Sequence, residues 1–308
     1  MERTRSTGFL TDFSEEKKAF GYYLLGSLIV IFFSFLGQIP MFFFLPEELP
    51  LSDNPMDLFA HLDSNLTLIL FLFPFLIAFL GFLFVVKKIH NQRLVSVTTG
   101  RSAIDFKRMF FGFAFWGVIS VSIVGIDLIF SPEDYVWNFQ PIPFVIMLIV
   151  ACCLIPFQSA LEEWLFRGYL MQGFATLTNS RFVCLLMTSV IFGLLHVSNP
   201  EIDKLGYGLL VYYIGTGFFF GIMSLKDDGI ELAIGFHVAN NLITAVLVTA
   251  DWTAFQTESL YKDISTPALG QELILFLLVI YPLSLFYLGK KYQWKNWKSK
   301  LIGQVNAT

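Results

Sequence analysis

Glu162, Glu163 and Arg167 stand in the stretch SALEEWLFRGY, Ser159 to Tyr169, just after the apolar run PFVIMLIVACCLIPF. An ionisable side chain at membrane depth costs roughly 2.5–3.5 kcal/mol on insertion scales. Such groups persist where they pair, face water or do chemistry. Residues four apart share a helix face, so Glu163 and Arg167 read as an ion pair. Glu162 is turned about 100° away on the same helix and needs another partner. We read it as a catalytic carboxylate, placed to take a proton from water.

Two further polar clusters interrupt apolar segments. His196 closes FGLLH; taken alone, a histidine on an apolar face is a hydrogen-bonded packing residue. In FHVANN, His237 and Asn241 are four apart and point the same way, with Asn240 on another part of the face. Interhelical hydrogen bonding is the plain reading of that pair. The chain has 4 histidines. His61 and His90 fall in loops and are expected to be solvated, without a role. The other two both lie in apolar helices, a bias that packing alone does not readily produce.

The elements that must position these residues are membrane helices. Of 308 residues, 56% are hydrophobic and 14% charged, against roughly 25% charged in a soluble domain. The expected class is an all-α polytopic membrane protein. A spanning helix needs about 20 apolar residues, and eight segments qualify: 19–43, 65–86, 109–130, 142–160, 182–197, 205–225, 230–250 and 271–289. The fifth and seventh are the least hydrophobic, which suits helices facing protein rather than lipid.

Basic residues sort the connections. Arg3, Arg5, Lys17 and Lys18 precede the first segment; Lys87, Lys88, Arg93, Arg101, Lys107 and Arg108 join the second to the third; Lys290, Lys291, Lys295, Lys298 and Lys300 end the chain. The first connection carries Glu47, Glu48, Asp53, Asp57 and Asp63 and no Lys or Arg. Both termini are therefore expected in the cytoplasm, with eight crossings. The charged N-terminal head reads as no signal peptide. No basic face suits nucleic acid. Cys152, Cys153 and Cys184 lack metal-ligand spacing and are expected as buried thiols. Gly217 and Gly221 make a small-xxx-small pair for close helix packing; Pro74 and Pro156 mark probable kinks. At 1.5 Å per residue, Glu162, His196 and His237 lie roughly 15–20 Å below one surface, so three separate segments can bring them together.

Glu162-Glu163-x-x-x-Arg167, Phe192-x-x-x-His196 and His237-x-x-x-Asn241 resemble, in order and spacing, the three motifs of the CPBP family, the type II CAAX prenyl protease and bacteriocin-processing group also called Abi. The match covers roughly residues 142–250, taken as the catalytic core of a single membrane domain over 1–308. No HExxH, GxGD or GxSG stretch suggests another class of intramembrane protease. The resemblance implies eight helices around a conical cavity open to the cytoplasm and the bilayer. It implies endopeptidase activity on a membrane-associated peptide or protein, in what is expected to be a bacterial cell membrane. It makes Glu162 the general base with His196 beside it, gives the oxyanion to His237 and Asn241, and leaves Glu163 and Arg167 in support.

Two chemistries stay open. Either Glu162 activates water alone, or Glu162, His196 and His237 ligate zinc or another divalent metal, since two His and one Glu with an open position make a hydrolase shell. The clusters lack local ligand spacing, and the metal-free form is preferred. Two other functions compete: a transporter with a proton or ion path through the buried Glu and His, and a non-catalytic immunity scaffold. The absence of an inverted repeat counts against the first, the complete polar set against the second.

Overall fold

The computed structural model describes residues 9–10, 19–46, 58–59 and 61–305. The head charges Arg3, Arg5, Lys17 and Lys18, the acidic residues Glu47, Glu48, Asp53 and Asp57, and residues 306–308 lie outside them. The fold is an all-α polytopic membrane architecture. Among the described residues, six helices are long and apolar enough to cross a bilayer, and two shorter apolar helices accompany them. We number the eight in order: α1 Phe20–Phe42, α2 Ser64–Phe84, α3 Phe106–Phe130, α4 Pro141–Glu163, α5 Arg181–Leu194, α6 Leu210–Asp227, α7 Glu231–Leu247 and α8 Leu273–Lys291.

Local sequence sets the helix ends. Asp63 caps α2 by accepting from the Asn65 and Leu66 amides, and Ser180 caps α5 by accepting from Val183 N, each satisfying first-turn donors that have no partner within the helix. Pro141 opens α4 where its missing N–H costs nothing. α4 continues past its spanning segment, 142–160, toward the expected end near residue 175. It runs on through a π-helical turn, Trp164–Leu170, and a last piece, Met171–Thr178, until Asn179 turns left-handed at φ 51°. Such wide turns are frequent at functional sites; this one begins directly after Glu163. α5 is shorter than its expected span, 14 residues ending at Leu194, which leaves His196 in the turn beyond it.

The helix ends gather in two groups. At the basic end, the segment after α2 meets the α6–α7 corner through Gly100 N to Asp228 O at 2.9 Å and Ile230 N to Thr98 O at 2.9 Å. At the other end, three short strands form a sheet that hydropathy does not foretell: β1 Tyr135–Trp137, β2 Val248–Thr249 and β3 Tyr261–Asp263, in the order β1-β3-β2. β1 pairs antiparallel with β3, Val136 opposite Lys262, and β2 pairs parallel. The sheet ties the α3–α4 connection to the α7–α8 connection.

Apolar side chains divide between core and lipid. Cys184 is buried, but Cys152 and Cys153 are exposed, contrary to expectation. They sit on a face of α4 that Ile146 and Ile149 share, where in a membrane helix exposure means contact with acyl chains. His90 also departs from expectation. It is buried, and its Nε2 lies 2.7 Å from the Tyr169 hydroxyl, because the basic connection folds in against α1 and the π-turn. His61 is exposed, as expected. The glycine pair does pack closely: a Cβ on Gly217 would lie 2.7 Å from Ser189 O, so α6 and α5 meet backbone to backbone.

Candidate active site

The ion pair read from the sequence is present and dry. Glu163 and Arg167 are both fully buried, with Arg167 Nη1 donating to Glu163 Oε1 at 2.9 Å. Arg167 also donates to the Gly217 carbonyl at 3.3 Å, reachable because that residue has no side chain, and lies 4.2 Å over the Phe192 ring. Burying two charges is tolerable only when each is paired and hydrogen-bonded.

The pair fixes His237. Its Nδ1 is 2.8 Å from the same Glu163 Oε1. A carboxylate bonded to arginine can only accept, so Nδ1 carries a proton, and in the neutral form of the ring Nε2 presents a lone pair. Nε2 faces Glu162 Oε2 at 3.8 Å. Glu162 is turned off the ion pair as its position on the helix requires. Its Oε1 accepts from Gln158 Nε2 at 2.5 Å, while Oε2 is buried without a hydrogen-bond partner. With the ring in its neutral form, two acceptors face each other across 3.8 Å.

His196 approaches from the turn after α5. Its Nδ1 bonds the Phe192 carbonyl at 2.7 Å, which places the proton on Nδ1 and leaves Nε2 free. The ring stacks on Tyr213 at 4.3 Å. Asn241 donates to Gln158 Oε1 at 2.9 Å and Ser159 Oγ at 3.2 Å. Gln158 is thus a site residue that the sequence reading missed, although it precedes Glu162 by four, the same spacing that marked the Glu163–Arg167 pair.

Glu162, His196, His237 and Asn241 all line one cavity of about 640 Å³. One wall is apolar, with Val30 and Ile31 of α1 and Phe71 and Phe75 of α2; the opposite wall carries the polar groups. Ile31 and Leu195 line the cavity and are also exposed, at 47% and 64%, so it reaches the lipid-facing surface between α1 and α5. Its loop-borne lining, Asn199, Glu201, Ala254 and Phe255, comes from connections at the sheet end. Glu201 was not singled out in the sequence. It accepts from Ala254 N at 2.8 Å, and burial pushes its carboxyl above the ordinary range. Glu162, His196 and His237 share the cavity, but among the described residues no three His, Cys, Asp or Glu side chains form a group that could hold a metal ion.

With this geometry in view, likeness to other proteins can be weighed. The Rce1-like model, described as type II CAAX prenyl endopeptidase Rce1-like, matches residues 141–243. The protein YyaK of Bacillus subtilis (strain 168) is 29% identical over 232 residues, which cover 74% of this chain and 74% of that protein. No solved structure matches. The family is one of intramembrane endopeptidases, and the matched region holds Glu162, Glu163, Arg167, His196, His237 and Asn241. The central region of this membrane protein, residues 141–243, is similar to the Rce1-like family of type II CAAX prenyl endopeptidases.

Proposed function

We propose that the protein is an intramembrane endopeptidase in which Glu162 activates a water molecule against a peptide bond of a membrane-associated peptide or protein. The observation that carries this reading is the facing pair of acceptors, Glu162 Oε2 and His237 Nε2, 3.8 Å apart in a shared cavity. A group that satisfies two acceptors at once has two hydrogens to give, and water has both. Hydrogen bonds of about 2.8 Å to each let one molecule span atoms this far apart, once a small shift of the side chains opens the buried Oε2 to it. Glu162 Oε2 takes one proton as the water oxygen attacks; a positioned base contributes roughly 10² to 10⁴-fold.

The carbonyl oxygen that becomes an oxyanion needs a donor. Asn241 has one to offer by releasing its longer bond, to Ser159, while keeping Gln158. Neutral His237 can donate from Nε2 only after gaining a proton, which Glu163 would stabilise. The proton that Glu162 takes from the water goes on to the departing amine, directly or relayed through the lone pair at His196 Nε2, the further nitrogen in the cavity. Glu163 and Arg167 act by holding His237. No step here uses a metal.

The reading takes residues 1–308 as one membrane domain with its catalytic core over 142–250, in a bacterial cell membrane, with the basic end and both termini cytoplasmic. That orientation turns the loop-lined mouth at the sheet end away from the cytoplasm, against the cytoplasmic opening that the resemblance implies, and the seam between Ile31 and Leu195 gives a second route from the bilayer. The test is cleavage of a membrane-anchored reporter library by purified protein in proteoliposomes. Glu162→Gln is expected to lose cleavage while retaining the fold. Full activity in that variant overturns the assignment. Activity abolished by a chelator and restored by zinc overturns the metal-free form.

A further inference from the structure

Four hydrogen bonds run in one line through the site. Trp116 Nε1 of α3 donates to Asn240 Oδ1 at 3.1 Å. Asn240 Nδ2 donates to Asn241 Oδ1 at 3.1 Å. Asn241 Nδ2 donates to Gln158 Oε1 at 2.9 Å. Gln158 Nε2 donates to Glu162 Oε1 at 2.5 Å. An amide can usually be turned over, exchanging donor for acceptor, but both ends of this line forbid it. An indole N–H only donates, and a carboxylate only accepts. Each of the three amides therefore has one permitted orientation.

We infer that Trp116, Asn240 and Gln158 are positioning residues that make this line a one-way lock on the catalytic carboxylate, confining the proton it gains to Oε2. The inference rests on the reading of Glu162 as the base. A proton on Oε1 would leave it a much weaker acceptor for Gln158, and to regain a strong bond there Gln158 would have to present its oxygen. Its NH₂ would then meet Asn241, which would have to turn, and Asn240 after it. The reversal would end with an amide NH₂ against the Trp116 N–H, two buried donors and no acceptor, an arrangement that costs the full desolvation of both groups. Trp116 is 3% exposed, so water does not relieve it. The lock thus leaves Oε2 as the one basic atom of Glu162, the atom that faces His237 Nε2. Aligned bonds also polarise one another, so the carboxylate is felt at the far end of the line.

The test combines kinetics and spectroscopy. Trp116→Phe keeps an aromatic ring and removes the terminal donor; Asn240→Asp keeps the acceptor for Trp116 and removes the donor to Asn241. Each is expected to lower kcat by about tenfold, the equivalent of one lost buried bond, with KM little changed. In protein labelled with ¹⁵N at tryptophan, the Trp116 indole signal, assigned by its loss in Trp116→Phe, is expected to move in Glu162→Ala. The Trp294 signal, whose N–H donates to Asp227, is expected to stay. Wild-type kcat in both folded variants overturns the inference, as does a Trp116 signal indifferent to Glu162→Ala. If Glu162→Gln still cleaves the reporter, the catalytic reading falls instead, and the indole signal continues to report on the lock alone.

Discussion

Two clusters of buried carboxylates meet arginines, and they are finished differently. At the basic end, Asp227 Oδ1 accepts from Arg108 and Trp294 while Oδ2 accepts from Arg101. Glu231 Oε1 accepts from Asp105 N and Oε2 from Arg101. All four oxygens are engaged. In the cavity, Glu162 Oε2 and Glu163 Oε2 are both buried without a partner. A buried polar atom left over in a native fold asks for a reason. At the basic end every carboxylate oxygen is taken, with only Arg108 Nε left over, and the cluster serves to join the segment after α2 to the α6–α7 corner. In the cavity, the unfilled valence of Glu162 is where chemistry would enter.

The sharpest way to break this contrast is Glu162→Gln. It keeps the shape and should cost roughly 10² to 10⁴-fold in cleavage with an unchanged melting temperature. A large loss of stability would make Glu162 a structural residue like Asp227. Next comes Arg167→Met, which strands Glu163 as an uncompensated buried charge and should cost about 3–5 kcal/mol. The double variant with Glu163→Gln should recover part of that in a thermal melt. Asp227→Asn removes a carboxylate shared by two part-exposed arginines and should cost about 1–3 kcal/mol, with cleavage per folded molecule unaltered. The smallest effect belongs to Glu201→Gln. Burial raises that carboxyl, so its charged form weighs against the fold as pH rises toward and through the raised value. The neutral amide still accepts from Ala254 and should gain no more than about 1 kcal/mol at neutral pH, with no gain in acid, read from melting temperature against pH.

Much of this was legible in the sequence because helical spacing is a local rule. Four-residue steps put Arg167 on Glu163 and turned Glu162 elsewhere, and hydropathy located the eight helices. What failed was set by neighbours far along the chain. His90 looks like a loop histidine until the basic connection folds onto Tyr169. Cys152 and Cys153 look like core until one knows which face of α4 meets lipid. The sheet forms from strands of two or three residues, too short to leave a pattern. Gln158 alone was within reach of the rule already in use; Trp116 needed the packing of α3 on α7.

The brevity of α5 has an effect on the surroundings as well. Its 14 residues rise about 21 Å, while the hydrocarbon slab is about 30 Å thick. Acyl chains beside it must shorten or tilt to match, so the leaflet is pinched where Leu195 and His196 emerge. Bilayer thickness thereby becomes a variable of the reaction: short-chain lipids relieve the mismatch, long-chain lipids oppose it, and turnover in vesicles of graded chain length should follow.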